Sequence, residues 1–181
     1  MTLSQNDYYE YLSIHLNLLY FTGYYTGILE EEISFQDFLR MSFQQKAFCR
    51  NVFLENQEEL LSEYIGDGTE IPNEQLAILR GFRKNEHGQF ILLKCLKDHA
   101  ILKSVDNGKF YAVKALSDSF EDLIPDFPVI FKLNILPFKG KIIYDGFIEG
   151  GNIKIGTHIQ KSLNEEYVRA RKNNEIVFSL D

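Results

Sequence analysis

The chain has 181 residues and a formal net charge of −7, with 45% hydrophobic and 25% charged side chains. These are globular proportions, so a packed core is expected and a low-complexity or fibrous chain is excluded. Fifteen Phe and ten Tyr supply the bulk of that core in the absence of any Trp.

The first residues, "MTLSQNDYYEYLS", lack a basic start and hold Asp7 and Glu10, so no secretory signal is expected. The apolar run "IHLNLLYFTGYYTGIL" is interrupted by His15, Asn17, Thr22 and Gly23. It falls short of the roughly 20 apolar residues that span a bilayer. A soluble, cytoplasmic protein with no membrane partner is expected. Cys49 and Cys95 sit in apolar patterns and read as small hydrophobes of a reducing compartment rather than a disulfide framework.

Residues 1–85 read as an acidic helical unit of about four helices. Ser4 with Asp7 has the spacing of a capping box, and Tyr8, Leu12, His15, Leu16 and Leu19 recur behind it at helical period. Gly23 and Gly27 weaken that helix. Ser34 with Asp37 repeats the cap, and Phe35, Phe38, Leu39, Phe43, Phe48 and Val52 extend a second helical pattern. A third helix runs from Asn56 to Gly66. "GDGTEIPN" is a breaker-rich loop in which Pro72 disfavours helix at Ile71, and "NEQLAILRGFRK" reads as the last helix.

From Gln89 the apolar period changes to two, defining a unit over residues 86–181. The expected strands are "QFILLKCLK", "AILKSV", "KFYAVKAL", "VIFKLNIL", "KIIYDGF" and "NIKIG". The second and third are joined by "DNG", where Asn107 and Gly108 readily take positive φ. "SDSFEDLIPDFP" is a capped short helix or loop, "SLNEEYVRARKNN" a helix opened by Ser162 and Glu165, and "EIVFSL" an added terminal strand. The expected fold class is therefore α+β, helices first, then a small antiparallel sheet or barrel of about six strands with a C-terminal helix.

"LPFKGKIIYDGFIEGGNIKIG" is the stretch most open to a chemical reading. A phosphate-binding loop runs into a helix N-terminus with Lys followed by Ser or Thr, whereas Lys141 here runs into a strand. Tyr144 and Asp145 are adjacent on that strand and point to opposite faces, so they do not converge as a catalytic pair. Pro137 and Gly140 read as a turn, Asp145-Gly146 as a bulge or turn, and "EGGN" as a second hairpin.

The motifs "GKFYAVKALSD", "LPFKGKIIYDGFI" and "SLNEEYVRARKNNEI" resemble a family of uncharacterised bacterial proteins, from about "NVFLENQEELL" to the end of the chain. The first 50 residues lie outside the resemblance. It implies no activity, cofactor or site residue.

No catalytic residue, metal site or cofactor is expected. The histidines, His15, His87, His99 and His158, show no ligand spacing, and Asp98-His99 falls where a hairpin turn belongs. His15 reads as a satisfied core residue. No Gly-x-Ser-x-Gly is present. Glu30, Glu31 and Glu32 read as a solvated run before a helix start. The charge is uneven: residues 1–75 hold three Lys and Arg against 13 acids, the remainder 16 against 13. Lysines interleaved with aromatics make the β unit a candidate binding surface, with Lys114, Lys132, Lys139, Lys141 and Tyr144 as its candidate residues. Burial of the aromatics with lysines guarding edges explains the same pattern. The expected function is a non-enzymatic protein-binding or regulatory module, with a protein partner docking on the acidic, aromatic-rich half. RNA or single-stranded DNA binding through the β unit is the alternative, and an enzyme of unrecognised type comes third. Oligomeric state is not legible.

Overall fold

A computed structural model describes residues 2–67, 70–124 and 126–180. The fold is α+β, and the chain divides into two compact units, Tyr9–Arg83 and Met1–Tyr8 with Lys84–Asp181. The first eight residues, expected with the helices, belong to the β unit. Leu3 N–H donates to the carbonyls of Ala115 and Leu116, and Thr2 forms a parallel bridge with Ala115.

The N-terminal region carries five helices among the described residues: α1 (Gln5–Tyr25), α2 (Phe35–Arg40), α3 (Phe43–Glu55), α4 (Gln57–Gly66) and α5 (Asn73–Gly81). The count exceeds four because the pattern from Phe35 to Val52 is broken at Met41. Ser42 opens α3 with its own capping box, its hydroxyl accepting from Gln45 N–H while the Gln45 side chain accepts from Ser42 N–H. The expected box of Ser34 and Asp37 is present at α2. Tyr11, Leu18, Leu19, Phe38 and Leu61 form fully enclosed parts of the core. Gly23 is the position where Leu29 packs closest: a Cβ there would lie 2.7 Å from Leu29 Cγ and 3.0 Å from Cys49 Sγ.

The β unit contains β1 (Glu86–Cys95), β2 (Ala100–Ser104), β3 (Phe110–Lys114), α6 (Phe120–Leu123), β4 (Val129–Phe138), β5 (Lys141–Lys154), α7 (Thr157–Lys172) and β6 (Ile176–Val177). The sheet order is β2-β1-β4-β5-β3-β6, and β2 also pairs with β3. The pairings therefore run in a closed circuit β1-β2-β3-β5-β4, with β6 added to β3. All are antiparallel except β3–β5 and β3–β6.

Several local expectations are corrected. Pro137 lies in β4 opposite Ile142, and the turn is the two residues Lys139-Gly140, both at positive φ (48° and 71°). That is the primed hairpin geometry that matches strand twist. "EGGN" closes no hairpin: Gly150 and Gly151, at φ 84° and 93°, are part of an irregularity inside one 14-residue strand, with Phe131 opposite Gly150 and Ile130 opposite Ile153. A second irregularity sets Tyr144, Asp145, Gly146, Phe147 and Ile148 against Leu133 to Ile135. Gly146 takes φ 94°, and Asp145 Oδ1 accepts from Phe147 N–H at 3.1 Å, so Asp-Gly forms a bulge. α7 starts at Thr157, five residues before the expected Ser162 cap, and Ser162 instead bonds Glu166 within the helix. In the "DNG" turn only Gly108 has positive φ.

One face of β1–β3 is covered by α7. Ile91, Leu93, Ile101, Phe110 and Ala112 alternate along their strands and pack with Leu163, Tyr167 and Ala170. Lys103 pairs with Glu166 at the margin of this cluster, and Lys94 Nζ lies 4.9 Å from the Tyr167 ring centre.

Candidate functional site

The five residues singled out in the β unit do not form one surface. Lys139 and Lys141, carried by the β4–β5 hairpin, both reach Asp7 in the first turn of α1, at 2.9 Å to Oδ1 and 3.0 Å to Oδ2. The two ammonium groups hold the Asp7 carboxyl down at about 2, against partial desolvation that opposes them. These lysines are spent on an intramolecular contact that spans 132 and 134 residues of chain. Lys114 stands opposite Ile143, two positions from Lys141. Lys132 is exposed midway along β4, with Gln89 and Glu149 as its cross-strand neighbours. Tyr144 is buried against Phe120, ring centres 5.2 Å apart, and burial raises its hydroxyl pKa beyond reach of neutral-pH chemistry.

No group of three or more His, Cys, Asp or Glu could hold a metal among the described residues. Asp98 and His99 lie in the β1–β2 turn, closed by Leu96 N–H to the His99 carbonyl at 2.9 Å. His15 is buried, shares a 3.1 Å hydrogen bond with Tyr11 through Nδ1 and Oη, and is held near 3 by desolvation and by the Arg50 charge. It stays neutral and structural. Arg50 itself is wholly buried in α3, with Nη1 donating to Asn51 Oδ1 at 2.8 Å. Nothing in the helical pattern marked Arg50 for the interior.

The helical unit offers a more coherent feature. α1 ends at Tyr25, Gly27 turns the chain at φ 71°, and Leu29 N–H returns to the Gly23 carbonyl at 2.9 Å. Tyr20 Oη donates to the Ile33 carbonyl at 2.8 Å and pins the far end of this loop. Between the loop and α3 runs an open groove of about 470 Å³, lined by Ile28, Leu29, Ile33, Met41 and Phe48 with Glu30, Gln44 and Gln45 at its edge. Phe48 is 57% exposed and Phe43 52%. Glu30, Glu31 and Glu32 are all exposed and make no ion pair among the described residues.

The charge follows the units. Tyr9–Arg83 holds five Lys and Arg against twelve Asp and Glu, which is the whole net charge of −7; the β unit holds fourteen of each. No helix among the described residues is long and apolar enough to cross a membrane. No protein-family model, curated protein or solved structure matches the chain.

Proposed function

We propose that the protein is a non-enzymatic binding module of the cytoplasm, whose helical unit receives a basic amphipathic segment of a protein partner in the groove between residues 28–33 and α3. The observation that carries this reading is the pairing of an apolar trough, with Phe48 left in solvent, and the exposed Glu30 carboxylate in its lining. The exposed Glu31 and Glu32 follow in the chain, and none of the three makes an ion pair among the described residues. Apolar and aromatic side chains surrounded by charge are the anatomy of a docking surface, and Phe and Met are enriched there. A helix with apolar anchors at i, i+3 and i+4 fits such a trough, and basic residues between the anchors complement the −7 charge.

The test uses a fluorescein-labelled Leu/Lys amphipathic helical peptide and the same peptide with Glu for Lys, read by anisotropy. The Lys peptide is expected to bind and the Glu peptide not to. Phe48→Ala, at an exposed position, is expected to weaken binding by about tenfold or more, the scale of an interface anchor. Neutralising Glu30, Glu31 and Glu32 together is expected to flatten its salt dependence. Equal binding of both peptides, or binding indifferent to Phe48→Ala, refutes the reading.

RNA or single-stranded DNA binding by the β unit is the second reading. In this reading the pairing circuit is a small five-stranded barrel, an architecture that elsewhere binds oligonucleotides on the strand 2–3 face. Two observations weigh against a long strand lying on that face: α7 covers it, and the unit carries no net charge.

A further inference from the structure

The last residues of the chain build a second cavity, in the β unit. α7 ends at Lys172 and Asn174 takes the left-handed conformation at φ 56°, with Glu175 N–H returning to the Ala170 carbonyl at 2.9 Å. This reversal sends Ile176 and Val177 along β3 and brings Phe178 to the β1–β2 turn, where its ring meets His99 edge to face at 5.5 Å. The open space left between turn, tail and helix is about 560 Å³, lined by Leu96, His99, Tyr167, Arg171, Ile176 and Phe178.

Two properties distinguish this cavity from a packing defect. Its walls present three rings, and Phe178 is held there although it is 58% exposed. Arg171 lines it and makes no ion pair among the described residues. Burial lowers the His99 pKa, the adjacent Asp98 charge opposes it, and Lys114, next in β3 to Val113, the partner of Ala100, lowers it by less than Asp98 raises it. The volume falls within the range of sites for small molecules, which combine apolar walls with a few placed polar groups.

We propose that this cavity binds a nucleoside phosphate, with the base packed against the rings of His99 and Phe178 and the phosphate paired with Arg171. A guanidinium matches the phosphate geometry through paired N–H donors, and ring stacking tolerates any base. The shared chemistry has two sources, a free mononucleotide and the terminal nucleotide of a single strand.

The test is calorimetric titration of the full chain with AMP, adenosine, inorganic phosphate and a 5′-phosphorylated oligoadenylate. AMP is expected to bind with a dissociation constant below about 1 mM, and adenosine and phosphate each about tenfold or more weaker. Arg171→Gln is expected to weaken AMP about tenfold and leave adenosine unchanged. Phe178→Ala is expected to weaken both by about tenfold, the scale of one stacking contact. An oligoadenylate that binds tighter than AMP, and is weakened by the same two variants, identifies the strand end as the source. No saturable binding of AMP or oligoadenylate, or binding indifferent to both variants, overturns the proposal. Both substitutions are at exposed positions, so circular dichroism of each variant should match the parent.

Discussion

The contact of Asp7 with Lys139 and Lys141 makes a quantitative prediction for the β unit. A carboxyl moved from its ordinary 3.8 to about 2 corresponds to about 2.4 kcal/mol of stability at neutral pH if the whole difference is felt. Asp7 keeps only 18% of its side chain exposed, but Lys139 and Lys141 keep 39% and 36%. Solvent screening at such lysines reduces the expected figure to about 1 kcal/mol. The folded state depresses this pKa, so the contribution is complete above the unfolded value and is lost as pH falls from about 5 to about 2. Asp7→Asn should therefore destabilise at pH 7 and converge on the parent in acid. Asp7 also sits in the first turn of α1, where a carboxylate favours the helix independently of the lysines. A double-mutant cycle with Lys141→Met separates the two effects. The assay is urea unfolding of parent, single and double variants from pH 2 to pH 8. A coupling energy indistinguishable from zero at pH 7, or an Asp7→Asn deficit that stays constant into acid, refutes the argument.

Two further substitutions and one reagent test other parts of the structure. Gly23→Ala should destabilise by about 1–3 kcal/mol in urea, because overpacking against Leu29 and Cys49 outweighs the gain in helix propensity of about 1 kcal/mol; unchanged or raised stability would mean Leu29 moves aside freely. Leu163→Ala should cost about 2–5 kcal/mol by emptying the cluster between α7 and β1–β3, whereas Val168→Ala on the solvent side of α7 should change stability by less than about 0.5 kcal/mol. The Cys95 thiol is pushed up to about 11 by burial and by the charge of Glu121, and burial raises Cys49 as well. Iodoacetamide labelling followed by mass spectrometry should be slow at pH 7 and accelerate toward pH 11; rapid labelling at neutral pH would contradict that environment.

Patterns that depend on neighbours a few residues apart were legible in the chain. Ser34 with Asp37 forms its cap, and the expected short capped helix is opened by Ser119 with Asp122. The change of pattern at about Gln89 falls in β1, although Phe90, Ile91, Leu92 and Leu93 are four consecutive buried residues where the sequence pattern predicts alternation. Ser162 and Glu165 have the same spacing, yet they fall inside α7, since cap spacing recurs by chance on any polar helix face. Glycine pairs are ambiguous for a different reason. A positive φ serves a hairpin and a bulge equally, and only the partner strand decides, as β4 does for Gly150 and Gly151. The groove was foreshadowed only by its charge and aromatics. Its floor requires Leu29 to fold back on Gly23, a contact that no periodicity encodes.

The same limit applies to the lysines of the β unit, whose pairings no local spacing encodes. Divided at residue 75, the chain showed an acidic first part and a second part with an excess of three positive charges. The fold reassigns three side chains: Arg80 and Arg83 fall within Tyr9–Arg83, and Asp7 falls within the β unit, where it takes up Lys139 and Lys141. That transfer removes the entire excess. Lys103 and Lys154 are also paired, to Glu166 and Asp126. A backbone-tracking surface needs several free cations along one path, because affinity for a phosphate chain scales with the number of phosphates neutralised. Arg171 lines one small cavity, an arrangement suited to a single phosphate group. The uncompensated −7 lies wholly in the helical unit, so association through that unit should be the step most sensitive to salt.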